Sequence, residues 1–225
     1  VHDLRVLAST WLDSNAVITG SKDAKICMHD VRKSKKVGTM RGHTREVCSL
    51  HASSDGIHFA SAGYQQVLVW DARNCAKPLW KLNGHTTSAK VQWSKQNAYT
   101  LASVGGTTDN KVCVWNTNSG KLVAAENTGS QVCSVQWTQE GELITGHGFS
   151  SNHISMWKYR SGGLTKFSEL HMHQDRVLHL ALSPNNSFLA STGPDERLCI
   201  WRIKNRCTVN FKPKRKFKIT HALLQ

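Results

Sequence analysis

Short segments that alternate apolar and polar residues recur along the chain, and a polar turn separates each from the next. Residues 103–116 show this best, because Ser103 precedes a polar turn over 105–110 and Val112 and Val114 then alternate up to Trp115. Alternation is typical of strands with one buried face, and glycine, aspartate and asparagine favour tight turns. The segment therefore predicts two antiparallel strands joined by a turn.

The same pattern recurs four more times at a regular spacing. The residues that close the repeats, each with the residue that follows it, are His29-Asp30, Trp70-Asp71, Trp115-Asn116, Trp157-Lys158 and Trp201-Arg202, with spacings of 41, 45, 42 and 44. A period of about 40–45 residues with Gly-His and Trp-Asp marks is typical of WD repeats, which form four-stranded propeller blades. We therefore predict an all-β propeller over residues 1–203, with five repeats visible.

Polar residues at fixed positions in each repeat predict a buried hydrogen-bonded network. Its members are a loop histidine, a serine or threonine that ends the middle strand, a turn aspartate and the closing tryptophan, which satisfy one another's polar groups. The two complete sets are His85, Ser103, Asp109 and Trp115 in repeat three, and His173, Ser191, Asp195 and Trp201 in repeat five. Repeat one closes on His29, repeats two and four lack the aspartate, and repeat four has Thr128 at the histidine position. We interpret these three repeats as worn copies.

Five repeats leave the closure of the propeller open. Propellers have about four to eight blades, and each blade needs neighbours on both faces. The chain either closes as a five-bladed ring or is the C-terminal part of a longer propeller. We favour the second, because the chain starts within a loop that opens a repeat and Pro213 shortens the strand that 208–211 could add.

Composition narrows the classes of function. The net charge is +14, and residues 203–225 contribute seven basic residues and no acid, which favours acidic partners. The run Lys212–Lys218 is either a solvated tail, a nuclear-import signal or a nucleic-acid contact. Seven cysteines without a C-x-x-C pair predict small buried side chains in a reducing compartment, and no metal or cofactor. No membrane span or secretory signal is visible in the sequence. No catalytic motif is visible either, so we expect no enzyme activity.

Six stretches, taken in order, resemble one family of WD-repeat proteins. They are Gly38–Cys48, Val69–Arg73, Gly105–Asp109, Gly129–Cys133, Gly146–Phe149 and Asp175–Leu178. Together they are similar to the Fizzy and Fizzy-related proteins, which recruit substrates to the anaphase-promoting complex, a ubiquitin ligase. The sequence looks like a divergent member, similar to the germline member Cortex. The resemblance implies a seven-bladed propeller that lacks two blades here.

The same resemblance implies sites for degron peptides. A receptor for the Lys-Glu-Asn degron on the top face would use Thr107, Gln131 and Arg176, with the guanidinium gripping the degron's glutamate. The chain departs from the family at Tyr64-Gln65-Gln66, where one residue of an Asn-Asp-Asn turn is missing, so half of that pocket is altered. Glu196 would hold the arginine of a destruction box, in a groove between the first and last blades.

The resemblance also implies partners. These are subunits of the anaphase-promoting complex and degron-bearing cell-cycle proteins such as cyclins. The localisation that it implies is the nucleus and the cytoplasm, and the processes are cell division and meiosis. We expect the family's N-terminal docking box to be missing, and the chain ends His221-Ala-Leu-Leu-Gln225 where the family ends Ile-Arg. The alternative is a general WD scaffold whose basic tail, residues 204–225, contacts RNA or chromatin.

Overall fold

The protein consists of β-strands joined by turns and loops. The computed structural model describes residues 2–33, 36–87, 89–160 and 163–203, and the predicted tail and its Lys212–Lys218 run lie outside these residues. The strands are β1 Val6–Trp11, β2 Ala16–Ser21, β3 Lys25–Asp30, β4 Lys36–Arg41, β5 Val47–Ala52, β6 His58–Gly63, β7 Val67–Asp71, β8 Trp80–Leu82, β9 Ala89–Trp93, β10 Thr100–Gly105, β11 Lys111–Asn116, β12 Lys121–Asn127, β13 Val132–Trp137, β14 Glu142–His147, β15 His153–Arg160, β16 Gly163–His171, β17 His179–Leu182, β18 Phe188–Thr192 and β19 Leu198–Arg202.

Consecutive strands form five antiparallel sheets, one for each repeat. The first four sheets have four strands each, β1–β4, β5–β8, β9–β12 and β13–β16, and β17–β19 form three strands of the fifth. Every closing residue lies on the third strand of its sheet, as at Trp115 on β11 and Trp201 on β19. The predicted all-β propeller of WD repeats is therefore confirmed.

The hydrophobic core is divided into layers, each between two neighbouring sheets. Trp70 packs with side chains of the first and second sheets, Trp115 with those of the second and third, Trp157 with those of the third and fourth, and Trp201 with those of the fourth and fifth. One sheet face cannot exclude water alone, so each sheet depends on the next for burial of its apolar side chains.

The first strands of the sheets lie side by side, and hydrogen bonds join them. Gln92 on β9 donates its side-chain N–H to Oε1 of Gln136 on β13 (2.8 Å), and Gln136 donates to the carbonyl of Leu180 on β17 (3.1 Å). The indole of Trp137 donates to the carbonyl of Gln92 (3.1 Å). These bonds join the third, fourth and fifth sheets and satisfy side-chain amide and indole groups on their first strands.

One detail of the predicted strand pattern is wrong. The small polar residue does not end the second strand, because Ser103 pairs with Cys113 and the strand continues to Gly105. The equivalent residues of the other sheets, Thr19, Ser61, Thr145 and Ser191, likewise lie inside their strands. The strand continues because the serine or threonine side chain points into the space between sheets, while its backbone stays in the ladder.

The strand order places two kinds of connection at the same end of the molecule. In four antiparallel strands, the turn between the second and third strands lies at the same end as the connection to the next sheet. We call this end the top face and the opposite end the bottom face. The second-to-third-strand turns all contain a residue with positive φ, five residues before the closing residue: Ala24, Gln65, Asn110, Asn152 and Glu196.

Candidate functional site

All of the sequence-predicted peptide contacts lie on the top face. Tyr64, Gln65, Thr107 and Glu196 belong to second-to-third-strand turns, and the two others, Gln131 and Arg176, lie in connections between sheets. Thr107, Arg176 and Glu196 are exposed, and Gln131 is partly buried. The side chains that sequence reasoning grouped are therefore presented at one end of the molecule, on loops held by rigid strands.

Gln131 and Arg176 come together around Gly148. A methyl group on Gly148 would lie 2.8 Å from Gln131 Oε1, 3.0 Å from Arg176 Cγ and 3.1 Å from Cys133 Sγ, so a larger residue there would have to displace these side chains. The amide of Gly148 also donates to the carbonyl of Gln131 (2.8 Å), and Asn152 donates its side-chain N–H to the carbonyl of Gln174 (3.1 Å). The 148–152 loop thus links the two connections and fixes the separation of their polar side chains.

A second group of top-face loops is joined through Thr87. Gln65 donates its backbone N–H to the carbonyl of Thr87 (3.0 Å), and Thr87 Oγ1 accepts from the amide of Gly106 (3.0 Å), next to Thr107. The side-chain N–H of Gln65 donates to the carbonyl of Thr86 (2.8 Å). The side chain of Gln65 therefore braces the neighbouring loop, and its role as a peptide contact stays a prediction.

Positive charge accompanies this face. The guanidinium of Arg45 lies over the ring of Tyr64, 4.6 Å from its centroid. Lys90 on β9 is within electrostatic reach of Cys48 and Cys133, and burial lowers the pKa of its ammonium group. Burial likewise raises the pKa of the Cys133 thiol, which Lys90 and Arg176 oppose. Lys90 and Arg176 thus both act on the Cys133 thiol, with the carboxylate of Asp175 opposing them, so two cations and one acid contribute to the charge on the Gln131–Arg176 side of the top face.

Glu196 occupies the positive-φ position of its turn, with an exposed carboxylate. Its neighbour Asp195 is held beneath it, with its carboxylate 2.9 Å from His173 Nδ1 and accepting from the amide of Gln174 (2.9 Å). The pKa of Asp195 is lowered, because these donors outweigh the opposing effect of burial. The turn therefore separates a structural acid from an exposed one, and the destruction-box role of Glu196 stays a prediction.

The structure contains the two predicted complete networks. In the third sheet, His85 bonds to Asp109 and to Ser103 Oγ (2.7 Å), which accepts the indole N–H of Trp115 (2.7 Å). In the fifth sheet, the corresponding residues His173, Asp195, Ser191 and Trp201 make the same bonds. Each network ties a top-face connection to the middle of its sheet, which supports the loops that carry the candidate site.

The repeats interpreted as worn copies keep the network by other means. In the first sheet, His29 Nε2 takes the place of the indole, 3.1 Å from Thr19 Oγ1, and His2 bonds to both Thr19 and Asp23. In the fourth sheet, His147 replaces the loop histidine and bonds to Thr145 (2.7 Å). These two repeats therefore keep hydrogen bonds to the strand hydroxyl, with His29 in place of the tryptophan in the first sheet and Ser130 in place of the aspartate in the fourth.

Sequence reasoning missed several residues of the top face. Phe149 has 77% of its surface exposed beside Gly148, and Lys90 and Thr87 were not singled out. The signal for Phe149 was present in the Gly146–Phe149 stretch, where an aromatic residue follows two glycines in a polar turn. Lys90 gave no such signal, because a single lysine in an alternating strand is ordinary.

Metal binding and membrane crossing find no structural support within the described ranges. No group of three or more His, Cys, Asp or Glu side chains there has a geometry that could hold a metal ion. The six described cysteines form no disulfide with one another, and Cys27, Cys113 and Cys133 are buried. Over the same part of the chain, the structure contains no helix with the length and apolar character needed to cross a membrane.

Comparison with known proteins identifies the repeats and the relatives. The family described as "WD domain, G-beta repeat" matches residues 34–71, 76–116 and 164–202. The chain is 38% identical over 90% of its length to WD repeat-containing protein slp1 of Schizosaccharomyces pombe, and 39% identical over 90% to Cell division cycle 20.4, cofactor of APC complex, of Arabidopsis thaliana. It covers 42% of the length of the first relative and 47% of the second. It is also 38% identical to Protein FIZZY-RELATED 3 of Arabidopsis thaliana, and it covers 42% of the length of that protein. The chain thus spans somewhat less than half of the curated relatives it matches.

Solved structures of other proteins support both the repeat fold and the relatives. A chain of the crystal structure of the mitotic checkpoint complex superposes with a TM-score of 0.87 at 38% identity, over 91% of this chain and 64% of that one. The structure of U3-55K, at 22% identity and a TM-score of 0.78 over 90% of this chain and 62% of that one, shows the shared fold alone. The chain belongs to the WD-domain, G-beta repeat family, and its homologues are the slp1, Cell division cycle 20 and Fizzy-related proteins, which confirms the resemblance.

Proposed function

We propose that this chain is part of a substrate-recruiting cofactor of the anaphase-promoting complex, which binds short degron peptides on its top face. The relatives described as cofactors of that complex support the role, and the propeller suits a non-catalytic adaptor. The observation that carries the proposal is the convergence of Gln131 and Arg176 on Gly148. The partners we propose are subunits of the complex and cyclin-like substrates, in the nucleus and the cytoplasm.

The top face offers the chemistry that a Lys-Glu-Asn peptide needs. The exposed guanidinium of Arg176 is free to turn toward a peptide carboxylate, since its nearest acid is Asp175, 3.8 Å away and itself half exposed. Lys90 acts on the same Cys133 thiol as Arg176 and adds positive charge to this side of the face. Gln131 offers an amide that can bond to the peptide's asparagine or backbone. A rigid frame of this kind lowers the entropy cost of binding an extended segment.

A double-mutant cycle between protein and peptide tests this assignment. We expect Arg176→Ala to weaken binding of a fluorescein-labelled Lys-Glu-Asn peptide about tenfold, because a charge-assisted pair is lost. The same substitution should have little effect on a Lys-Ala-Asn peptide, whose affinity is already low. Fluorescence polarisation measures all four affinities.

Arg202→Ala is the matched control, since Arg202 is an exposed arginine at the opposite end of the fifth sheet. It should bind both peptides as the parent does. Equal affinities of the parent and Arg176→Ala for the Lys-Glu-Asn peptide would remove Arg176 from the site. A loss that is the same for both peptides would show that Arg176 does not pair with the glutamate.

A further inference from the structure

A groove of about 240 Å³ lies between the second and third sheets on the bottom face. Its lining includes Leu79 and Trp80, where the second sheet's outer strand begins, and Tyr99, in the connection that enters β10. Val69, which is 1% exposed, is buried beneath them. The groove is at the opposite end of the molecule from Gln131 and Arg176, so it is separate from the proposed degron site.

The groove presents an unusual amount of apolar surface to solvent. Leu79 is 48% exposed, Trp80 37% and Tyr99 54%. Isolated exposed apolar side chains are ordinary, but three large ones gathered around one concavity are typical of a binding surface. Leucine and two aromatic rings on the walls of a groove suit the insertion of one apolar side chain from a partner.

The local backbone creates this concavity. The strand β8 has only three residues, and it pairs with Val67, Leu68 and Val69 alone, so the lower part of β7 is not covered by an outer strand. The ring of Trp80 lies against Gly120, where a methyl group would be 2.5 Å from Trp80 Cε3. Gly120 also has φ +67°, which favours glycine. The third sheet therefore holds Trp80 as one wall of the groove.

The charges around the groove select the partner. Lys77 precedes Leu79 by two residues, Lys121 follows Gly120, and both lysines are exposed; residues 76–84 and 117–124 contain no acid. Lys81 pairs with Leu68, so it lies on the other face of the second sheet. The nearby carboxylates of Asp55 and Asp71 are already bonded to His58 and Arg73. The surroundings are therefore positive, which favours an acidic partner and disfavours the chain's own basic C-terminal segment.

We propose that this groove binds an extended acidic peptide segment of a partner protein, through one large apolar side chain inserted among Leu79, Trp80 and Tyr99. The strand β8 is the outermost of its sheet, so an extended segment can lie along it. The lysines attract the acidic flanks of the segment, and the apolar side chain supplies most of the affinity. The surface adds a second contact for a client or ligase subunit that the top face also engages.

The probe is a fluorescein-labelled Asp-Glu-Asp-Leu-Asp-Phe-Glu-Asp peptide, titrated with the full chain. Two companion peptides carry serine in place of leucine and phenylalanine, or amides in place of the carboxylates. We expect both companions to bind at least about fivefold more weakly. The Leu79→Ser and Tyr99→Ser variants should each weaken binding of the parent peptide to a similar degree, and the K77E/K121E variant should do so in a salt-dependent way.

Val37→Ser is the matched control, because Val37 is 51% exposed on the outer strand of the first sheet. It should leave the affinity unchanged, and the unfolding midpoint of every variant should match that of the parent. If Leu79→Ser does not fold, K77E/K121E still decides the question. Equal binding of all three peptides, or no effect of the groove variants, overturns the proposal. Loss of binding in Arg176→Ala alone would place the peptide on the top face and also overturn it.

Discussion

The Nε2 atom of His147 lies 2.7 Å from Oγ1 of Thr145, which precedes His147 by two residues on β14. The Nδ1 atom of His147 lies 2.8 Å from Ser130 Oγ. The indole N–H of Trp157 donates to the same threonine oxygen (2.8 Å). In the other four sheets the imidazole at this position comes from the connection that precedes the first strand, at His2, His43, His85 and His173. The fourth sheet thus keeps the hydrogen bonds while drawing the histidine from a different element.

Substitution of His147 should destabilise the protein. His147→Ala would leave Ser130 and Thr145 without their shared partner and would open a cavity at a fully buried position. We expect the free energy of unfolding to fall by about 2–3 kcal/mol. Urea denaturation measures it, with His179→Ala as the control at an exposed position. An unchanged midpoint for His147→Ala would show that the network of the fourth sheet does not contribute to stability.

The propeller could be predicted because each sheet is encoded locally. Alternating segments, polar turns and a closing tryptophan lie within about 45 residues, and the period repeats them. The sequence shows that His29 stands at the closing position of its repeat, but the use of His147 as the network histidine could not be predicted, because it depends on which side chains meet in space. His147 follows Thr145 by two residues, whereas His85 precedes Ser103 by 18. The two histidines occupy equivalent positions only in the folded sheet.

The candidate site could be predicted only in part. Resemblance pointed to Gln131 and Arg176, which are 45 residues apart in the chain, but it did not show the glycine that holds them together. Close contact at Gly148 depends on the separation of two sheets, which no local pattern encodes. The bottom-face groove was missed for the same reason, since Trp80 and Tyr99 come from different repeats.

Stability should decrease between neutral and mildly acidic pH because of His43. Burial lowers the pKa of His43 to about 4, so the folded state keeps the ring neutral while the unfolded state binds a proton below about 6.5. In that window the unfolded state holds more protons, so stability rises with pH. The contribution of His43 is fully present above pH 6.5 and is lost as the pH falls toward 4.

Comparison of the parent with His43→Gln isolates this effect. From pH 7.5 to pH 5, the parent should lose on the order of 1–2 kcal/mol more unfolding free energy than the variant does. Urea denaturation at both pH values measures the difference, and His171→Gln, at an exposed histidine, should behave as the parent. The same pH dependence in the parent and His43→Gln would contradict a neutral buried His43.

Gly148→Ala should weaken peptide binding more than it weakens the fold. The new methyl group would displace Gln131 Oε1 and Arg176 Cγ from their present positions. We expect the affinity for a Lys-Glu-Asn peptide to fall at least about fivefold. Gly38→Ala is the control, because a methyl group there meets only Cys75 Sγ at 3.7 Å. An unchanged affinity in Gly148→Ala, with an unchanged melting temperature, would show that the spacing of the two side chains does not matter for binding.

Coupling between sheets should be measurable at Gln92 and Gln136, which lie on the first strands of neighbouring sheets. Gln136→Ala would leave the amide of Gln92 without its acceptor at a position that is 5% exposed, so we expect a loss of about 1–3 kcal/mol in unfolding free energy. Gln92→Ala should cost a similar amount. The double variant should cost less than the sum of the two, with an interaction energy of at least about 0.5 kcal/mol.

Gln139 provides the matched control for this cycle. It donates a comparable bond between neighbouring sheets, here from the fourth to the fifth, to the carbonyl of Pro184 (3.0 Å), but at an exposed position. Water can replace that bond, so Gln139→Ala should change the unfolding free energy by less than about 0.5 kcal/mol. Additive losses for Gln92 and Gln136 would mean that each amide acts within its own sheet. Apolar packing and the bond from the Trp137 indole to the Gln92 carbonyl would then join the two sheets without a contribution from the pair of side-chain amides.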